Sequence, residues 1–239
     1  NLTVNDIDFI IFATSTPDYY IPGSGCILQE KMKFPNIGAL DIRNACSGYI
    51  FALSIADQYI KNGTFENILI VTAEVQSTAM DLSNRGRDTS VIFADGAAAT
   101  ILSQTSDNIG ILSTHLHSEG KYLKELWVEA PSSKANPKLN QDIIDKGKHF
   151  LKMNGREVFK HAVKRFPEVI IEALDYNNLN IDDIDLLIPH QANIRISNMI
   201  QKKLGLEDNQ VISNIHNYGN TTAASIPIAL CESINNNKL

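Results

Sequence analysis

Two octapeptides far apart in this chain read as copies of each other: Val4-Asn-Asp-Ile-Asp-Phe-Ile-Ile11 aligns with Ile181-Asp-Asp-Ile-Asp-Leu-Leu-Ile188. Each copy begins with an acidic turn and runs into an apolar, β-branched stretch. Each is followed by a helical segment, a second strand-like run, a turn of small residues and an alanine-rich helix. Cys46 lies 39 residues after Ile7, and Asn220 lies 36 after Ile184. On that spacing Cys46 and Asn220 occupy matching turns, each at the start of its helix, and His190 ends the first strand of the second copy. Such a duplication can fold as two strand–helix–strand–helix halves packed face to face, with both helix beginnings aimed at one centre. Ligands of open α/β sheets bind at the carboxyl ends of strands, which is where all three residues fall.

The stretch around Cys46 gives the chemistry. Residues 39–42 read as a short strand, the small residues near Cys46 break it, and Ile50, Leu53, Ala56 and Ile60 follow at helical spacing until Asn62-Gly63 closes the segment. A thiol at a helix N-terminus meets unpaired N–H groups and the positive end of the dipole, so its pKa is expected below the ordinary value of about 8.5. That makes Cys46 a candidate nucleophile. The competing reading is a small buried hydrophobe, the commonest fate of a free cysteine.

Elsewhere strand-like and helical runs alternate. Strands are expected at 7–14, 66–74, 89–103 (interrupted at Asp95-Gly96), 109–116, 184–188 and 211–214. Helices are expected at 26–32, 158–174 with a new turn or kink at Pro167, 193–204 and 221–234. This alternation predicts layered α/β architecture with a mostly parallel buried sheet. It divides the chain into an N-terminal half carrying the nucleophile (1–120), a polar surface excursion (121–152) and a C-terminal half carrying His190 and Asn220 (153–239).

With 239 residues and 44% hydrophobic composition, the chain can bury a substantial core. A net charge of −6 argues against general nucleic-acid binding. Three cysteines form neither a disulfide framework nor a metal-ligand spacing, which predicts a reducing cytoplasm. No apolar run approaches the ~20 residues of a membrane helix. Both ends read as cut from something longer: the chain enters a strand almost at once and stops just after a helix.

Cys, His and Asn in this order also describe a papain-type protease. The Cys-Gly-Ser-Cys-Trp signature is absent, however, and a duplication has no place in that scheme. Five ordered motifs point elsewhere. Asp41-Ile-Arg-Asn-Ala-Cys46-Ser-Gly, Asp95-Gly-Ala, Lys152-Met-Asn-Gly-Arg-Glu-Val-Phe-Lys160, Ile188-Pro-His190-Gln-Ala-Asn-Ile-Arg195 and Tyr218-Gly-Asn220-Thr-Thr-Ala-Ala-Ser-Ile-Pro227 together resemble β-ketoacyl-acyl carrier protein synthase III. The resemblance runs from Ile7 to about Ile234.

It implies a thiolase-like duplicated α/β fold of two sandwiched mixed or parallel sheets with buried helices, incomplete at both termini. It also implies a cytoplasmic homodimeric acyltransferase of fatty acid biosynthesis that needs no cofactor or metal and has acyl-CoA and acyl carrier protein as partners. Cys46 would accept the acyl group, and His190 and Asn220 would donate hydrogen bonds to the malonyl thioester oxygen. Lys160 and Arg195 match positions that meet the phosphate of CoA or of the carrier's prosthetic arm, and Arg87 matches a CoA-contacting arginine. Seven basic residues between Lys146 and Arg165, with Glu157 as their one acid, would steer an acidic carrier.

Ile21, before Pro22, stands where acetyl-primed relatives commonly have an aromatic gate. That leaves open a condensing enzyme of secondary metabolism with a longer or unusual acyl-CoA. A non-catalytic subunit of the same fold is the third reading. By the resemblance, the first βα segments would precede Asn1 and a closing glycine-rich strand would follow Leu239, so the chain as given is expected to have little activity. His115 and His117 share a strand face without a third metal ligand nearby, Cys26 and Cys231 are expected in the core, and Tyr122 and Trp127 could line a pocket.

Overall fold

Strands rich in Ile, Leu and Ala build the central sheet of the computed structural model, which describes residues 2–107 and 109–239. β1 (Phe9–Ala13) pairs in parallel with β2 (Gly38–Ile42) through α1 (Ser24–Met32). α2 (Gly48–Lys61) then leads to β3 (Asn67–Glu74), parallel to β1 on its other side. A short α3 (Arg87–Ser90) precedes β4 (Gly96–Ser103), which runs antiparallel to β3, so the sheet order is β2-β1-β3-β4.

Ile10 and Ile11 of β1 and Ile68 and Ile70 of β3 have no exposed surface. Each such side chain contributes about 1.5–3 kcal/mol of burial. α2 covers this sheet with Tyr49, Ala52 and Ala56; the two alanines, at 0% exposure, let the helix approach closely.

The 121–152 segment carries β5 (Leu126–Trp127), α4 (Gln141–Asp145) and, at its end, β6 (Lys152–Met153), with β5 and β6 paired antiparallel. Next come α5 (Gly155–Tyr176), α6 (Ile194–Leu204), a short α7 (Ile215–Tyr218) and α8 (Ser225–Asn235). α5 is one helix through Pro167.

The duplication is visible in local geometry. Thr3 and Asn180 each cap a 3-10 turn with a capping box closed by Asp6 and Asp183, residues that the repeat aligns. Each alanine-rich helix is entered through a 3-10 turn, Ala45–Ser47 before α2 and Thr222–Ala224 before α8. The first residue of each turn is left-handed, Ala45 at φ 45° and Thr222 at φ 53°. For non-glycine residues this costs about 1–3 kcal/mol each. These matching turns correct the sequence register: Cys46 corresponds to Ala223, and Asn220 lies three residues earlier.

Several expected strands are absent as ladders. Residues 91–93 supply a single bridge, Phe93 to Asn220, and 109–116 form no strand among the described residues. The strands expected at 184–188 and 211–214 reduce to one bridge, Leu187 to Val211. Two short facing segments without a third neighbour sustain little ladder, and Pro189 removes a donor just beyond. Cys26 and Cys231, expected in the core, are exposed; their helices bury other faces.

Candidate active site

The turn Ala45–Ser47, which holds Cys46, packs directly against the turn Thr222–Ala224. A Cβ placed on Gly48 would sit 3.4 Å from the Ala223 Cβ, so the two halves meet within one residue of the thiol's turn. Asn220 precedes the second turn and Ser225 follows it, and Ser225 holds His190. The three residues singled out from sequence are therefore all attached to one pair of turns.

Asn220, 4% exposed, is clamped by its backbone: its N–H donates to the Ile92 carbonyl at 3.0 Å and its carbonyl accepts from Ala94 N–H at 2.9 Å. Its side-chain Oδ1 accepts the Thr222 N–H at 2.9 Å. An oxygen must face that donor, so the Nδ2 amide hydrogens point away from the turn, and they have no hydrogen-bond partner among the described residues.

His190 Nδ1 lies 2.6 Å from Ser225 Oγ, and the same Oγ accepts the Gln191 N–H at 3.3 Å. The contact fits the tautomer in which the Ser225 hydroxyl donates to Nδ1 and the ring carries its own proton on Nε2, the form that can donate into the site. Burial lowers the His190 pKa to about 4, so the ring is neutral near pH 7. Gln191, 2% exposed, keeps this corner rigid: its Nε2 donates to the Pro189 and Ile212 carbonyls and its Oε1 accepts Asn214 N–H.

Cys46 departs from the sequence expectation. Its pKa is raised from 9.0 to about 12, first by burial of the thiol and second by the negative charge of Glu74. The residue as a whole is half-buried, yet loss of water around the sulfur outweighs any benefit from the helix. One contributing reason is that a three-residue 3-10 turn, not the first turn of α2, carries Cys46.

Glu74 was not among the sequence candidates. It is 2% exposed and accepts hydrogen bonds from Ser15 N–H and Oγ, Thr16 Oγ1 and Gln76 Nε2. Burial still raises its pKa. The signal was present in β3, where Ile68, Ile70, Thr72 and Glu74 alternate onto the buried face, leaving a carboxylate where a hydrophobe is expected.

The outer residues are more scattered. Arg87 starts α3, Lys160 lies on α5 and Arg195 opens α6, all exposed. Their elements are linked in series, because α3 packs on β6, β6 leads into α5, and α5 packs on α6. Lys160 lies 3.4 Å from Glu157. The basic run is largely neutralised: Lys146 pairs with Asp142, Lys148 and Lys152 with Glu129, Lys164 with Glu168, and Arg165 with Glu119 and Glu168. Of that run, Arg156 alone has no acidic partner among the described residues. Folding brings in acids that the linear stretch lacks, so the expected positive face is weaker than its sequence. Ile21 is 82% exposed on a loop with Tyr19 and Tyr20.

His115 and His117 converge on one carboxylate: Nδ1 of His115 is 3.0 Å and Nε2 of His117 is 2.6 Å from Glu172. Among the described residues no group of three or more His, Cys, Asp or Glu side chains could hold a metal ion. Tyr122 packs on His161, with ring centroids 4.1 Å apart. An open groove of about 890 Å³ lies between α2, residues 112–115 and α5, away from Cys46, His190 and Asn220.

A duplicated α/β core with helix-opening turns packed at its centre is a thiolase-like fold, and comparison with known proteins supplies the family. The family models for 3-oxoacyl-[acyl-carrier-protein] synthase III and for its C-terminal region match residues 40–120 and 174–239. β-Ketoacyl-[acyl-carrier-protein] synthase III of Clostridium perfringens is 42% identical over 238 residues, covering 100% of this chain and 72% of the relative. The crystal structure of the synthase III from Aquifex aeolicus superimposes with a TM-score of 0.89 at 39% identity, covering 100% of this chain and 71% of that one. The Thermus thermophilus enzyme gives 0.88 at 34% identity, covering 98% and 70%. The chain belongs to the β-ketoacyl-acyl carrier protein synthase III family of condensing acyltransferases. Among the described residues no helix is long and apolar enough to cross a membrane.

Proposed function

We propose that this chain catalyses the decarboxylating condensation of an acyl-CoA primer with malonyl-acyl carrier protein, the step that initiates fatty acid synthesis. Both thioesters enter as substrates and no cofactor is needed. The Cys46 thiol attacks the primer carbonyl, the acyl–sulfur bond to CoA breaks, and the thiol proton leaves in net with the CoA sulfur. The C–C bond to the malonyl carboxylate then breaks, carbon dioxide departs, and its bonding electrons form an enolate. His190 Nε2–H and Asn220 Nδ2–H donate to the enolate oxygen; being fixed and poorly hydrated, they act as an oxyanion hole. The enolate carbon attacks the acyl-cysteine, and the Cys46 thiolate is released and reprotonated.

The observation that carries this reading is the attachment of Cys46, His190 and Asn220 to one pair of packed turns in a chain matched along its length by synthase III enzymes. Arg87, Lys160 and Arg195 would meet the phosphates of CoA and of the carrier's arm, and Ile21 would border the primer. A homodimer and a cytoplasmic setting complete the proposal.

Incubation with labelled acetyl-CoA, followed by malonyl-acyl carrier protein, tests it. Label on the Cys46 peptide that Cys46→Ala abolishes, followed by release of carbon dioxide, is the expected result. Label accepted only from longer acyl-CoAs would favour the secondary-metabolism reading, and none from any acyl-CoA, in a version extended at both ends, would sink the assignment.

Gly96 gives a sharper prediction. A Cβ there would lie 2.8 Å from Thr221 Cγ2 and 2.9 Å from Thr221 Cβ, contacts too short to keep. Gly96→Ala therefore pushes on the residue after Asn220. Since a 1 Å misplacement can cost about 10²-fold, decarboxylation is expected to fall by about 10–10²-fold with the protein still folded. An unchanged rate of carbon dioxide release would refute this coupling.

A further inference from the structure

Thr222 is the weak point of the Asn220 arrangement. Its N–H sets the direction of the Asn220 amide, yet it is a β-branched residue at φ 53°, a conformation such side chains rarely keep unaided. A buried side chain from the other half of the molecule holds it. Gln76, 4% exposed on the 3-10 turn Gln76–Ala79 that follows β3, donates through Nε2 to Thr222 Oγ1 at 2.9 Å. The same nitrogen reaches Ser15 Oγ at 3.2 Å and Glu74 Oε2 at 3.3 Å, which pins the amide to the end of β3 and the segment after β1.

We propose that Gln76 is a positioning residue for the malonyl step: it fixes Thr222 in its left-handed conformation and so aims the Asn220 Nδ2 donor at the enolate oxygen. The path runs from Glu74 and Ser15 through Gln76 Nε2 to Thr222 Oγ1, and from Thr222 N–H to Asn220 Oδ1. Acylation of Cys46 does not use that donor. Loss of the link therefore slows carbon dioxide release and leaves acyl uptake alone, a split that general loosening of the fold would not produce.

Gln76 acts in this way only if the proposed reaction holds, and the two fail differently. Unaltered protein, extended at both ends, that releases no carbon dioxide from malonyl-acyl carrier protein removes the reaction itself. If the unaltered protein is active, Gln76→Leu and Thr222→Val, which each delete one end of the 2.9 Å bond, are compared with it and with the double variant. Each single variant is expected to lower kcat for decarboxylation about tenfold, with KM for the malonyl substrate and the Cys46 acylation rate within about twofold. The double variant should be no slower than either single one, because both remove the same link. Equal losses in acylation and decarboxylation, unchanged decarboxylation, or multiplying losses in the double variant would overturn the assignment. So would a Gln76→Leu protein that fails to fold beside a fully active Thr222→Val protein, since Gln76 would then serve the fold alone.

Discussion

His190→Ala and Asn220→Ala are each expected to lower carbon dioxide release from malonyl-acyl carrier protein by about 10²–10³-fold, roughly 3–4 kcal/mol, the usual loss for one oxyanion donor. Uptake of acyl label by Cys46 should stay within about threefold, because in the proposed mechanism the two donors serve the second half-reaction. Asn220→Asp is the stricter variant. It keeps the shape but sets a carboxylate oxygen where Nδ2 now donates, so its loss should equal or exceed that of the alanine change.

The neutral state of His190 adds a pH test. Its pKa of about 4 in the folded protein means that carbon dioxide release carries no histidine titration between about pH 5.5 and 8 from this residue. For stability the sign is unfavourable toward acid. The unfolded chain binds a proton near the ordinary value of 6.5, whereas the folded chain binds it only near 4. Stability is therefore lost as pH falls through that window, by on the order of 3 kcal/mol at most, and His190→Gln should flatten the loss. A decarboxylation rate that follows a group near pH 6.5 and loses this dependence in His190→Gln would contradict the buried neutral imidazole.

What could be read from the sequence was whatever repeats or alternates. The copied octapeptides announced the paired halves, and their acidic turns close capping boxes at equivalent places. Periodicity marks α2 and α6, although Asn193, expected as the first helical residue, is the cap of α6. Three features were hidden for physical reasons. The expected second-half strands depend on neighbours for their ladders, and hydrophobic pattern alone does not tell whether a partner is present.

The register pairing Cys46 with Asn220 is off by three residues because it matches the two reactive side chains in place of the spacing: Cys46 lies 39 residues after Ile7, and it is Ala223 that lies 39 after Ile184. The left-handed Ala45 and Thr222 are the true equivalents, and neither is a glycine or asparagine that would advertise such a conformation. The positive run between Lys146 and Arg165 loses part of its field to Glu119 and Glu129, partners that only tertiary structure supplies, and part to Asp142 and Glu168, which lie just outside the run in sequence.

The thiol's pKa was misread for a related reason, and it yields the other large effect. Iodoacetamide is expected to alkylate Cys46 about 10³-fold more slowly in the folded protein than in urea near pH 7.5. The step from 9.0 to about 12 cuts the thiolate fraction by that factor at neutral pH, since each unit is a factor of ten. Cys26 and Cys231 are exposed and serve as internal markers of reagent access.

Burial is the larger cause and Glu74 the smaller, so Glu74→Gln should recover only part of the rate. Equal alkylation of Cys46 in the folded and unfolded protein would contradict a buried, protonated thiol. If that thiol is what the experiment finds, the resting protein guards its nucleophile from oxidants and stray electrophiles. Reaction then depends on a thioester whose departing sulfur takes the proton, and selectivity at Cys46 comes from what the closed site admits more than from a standing thiolate.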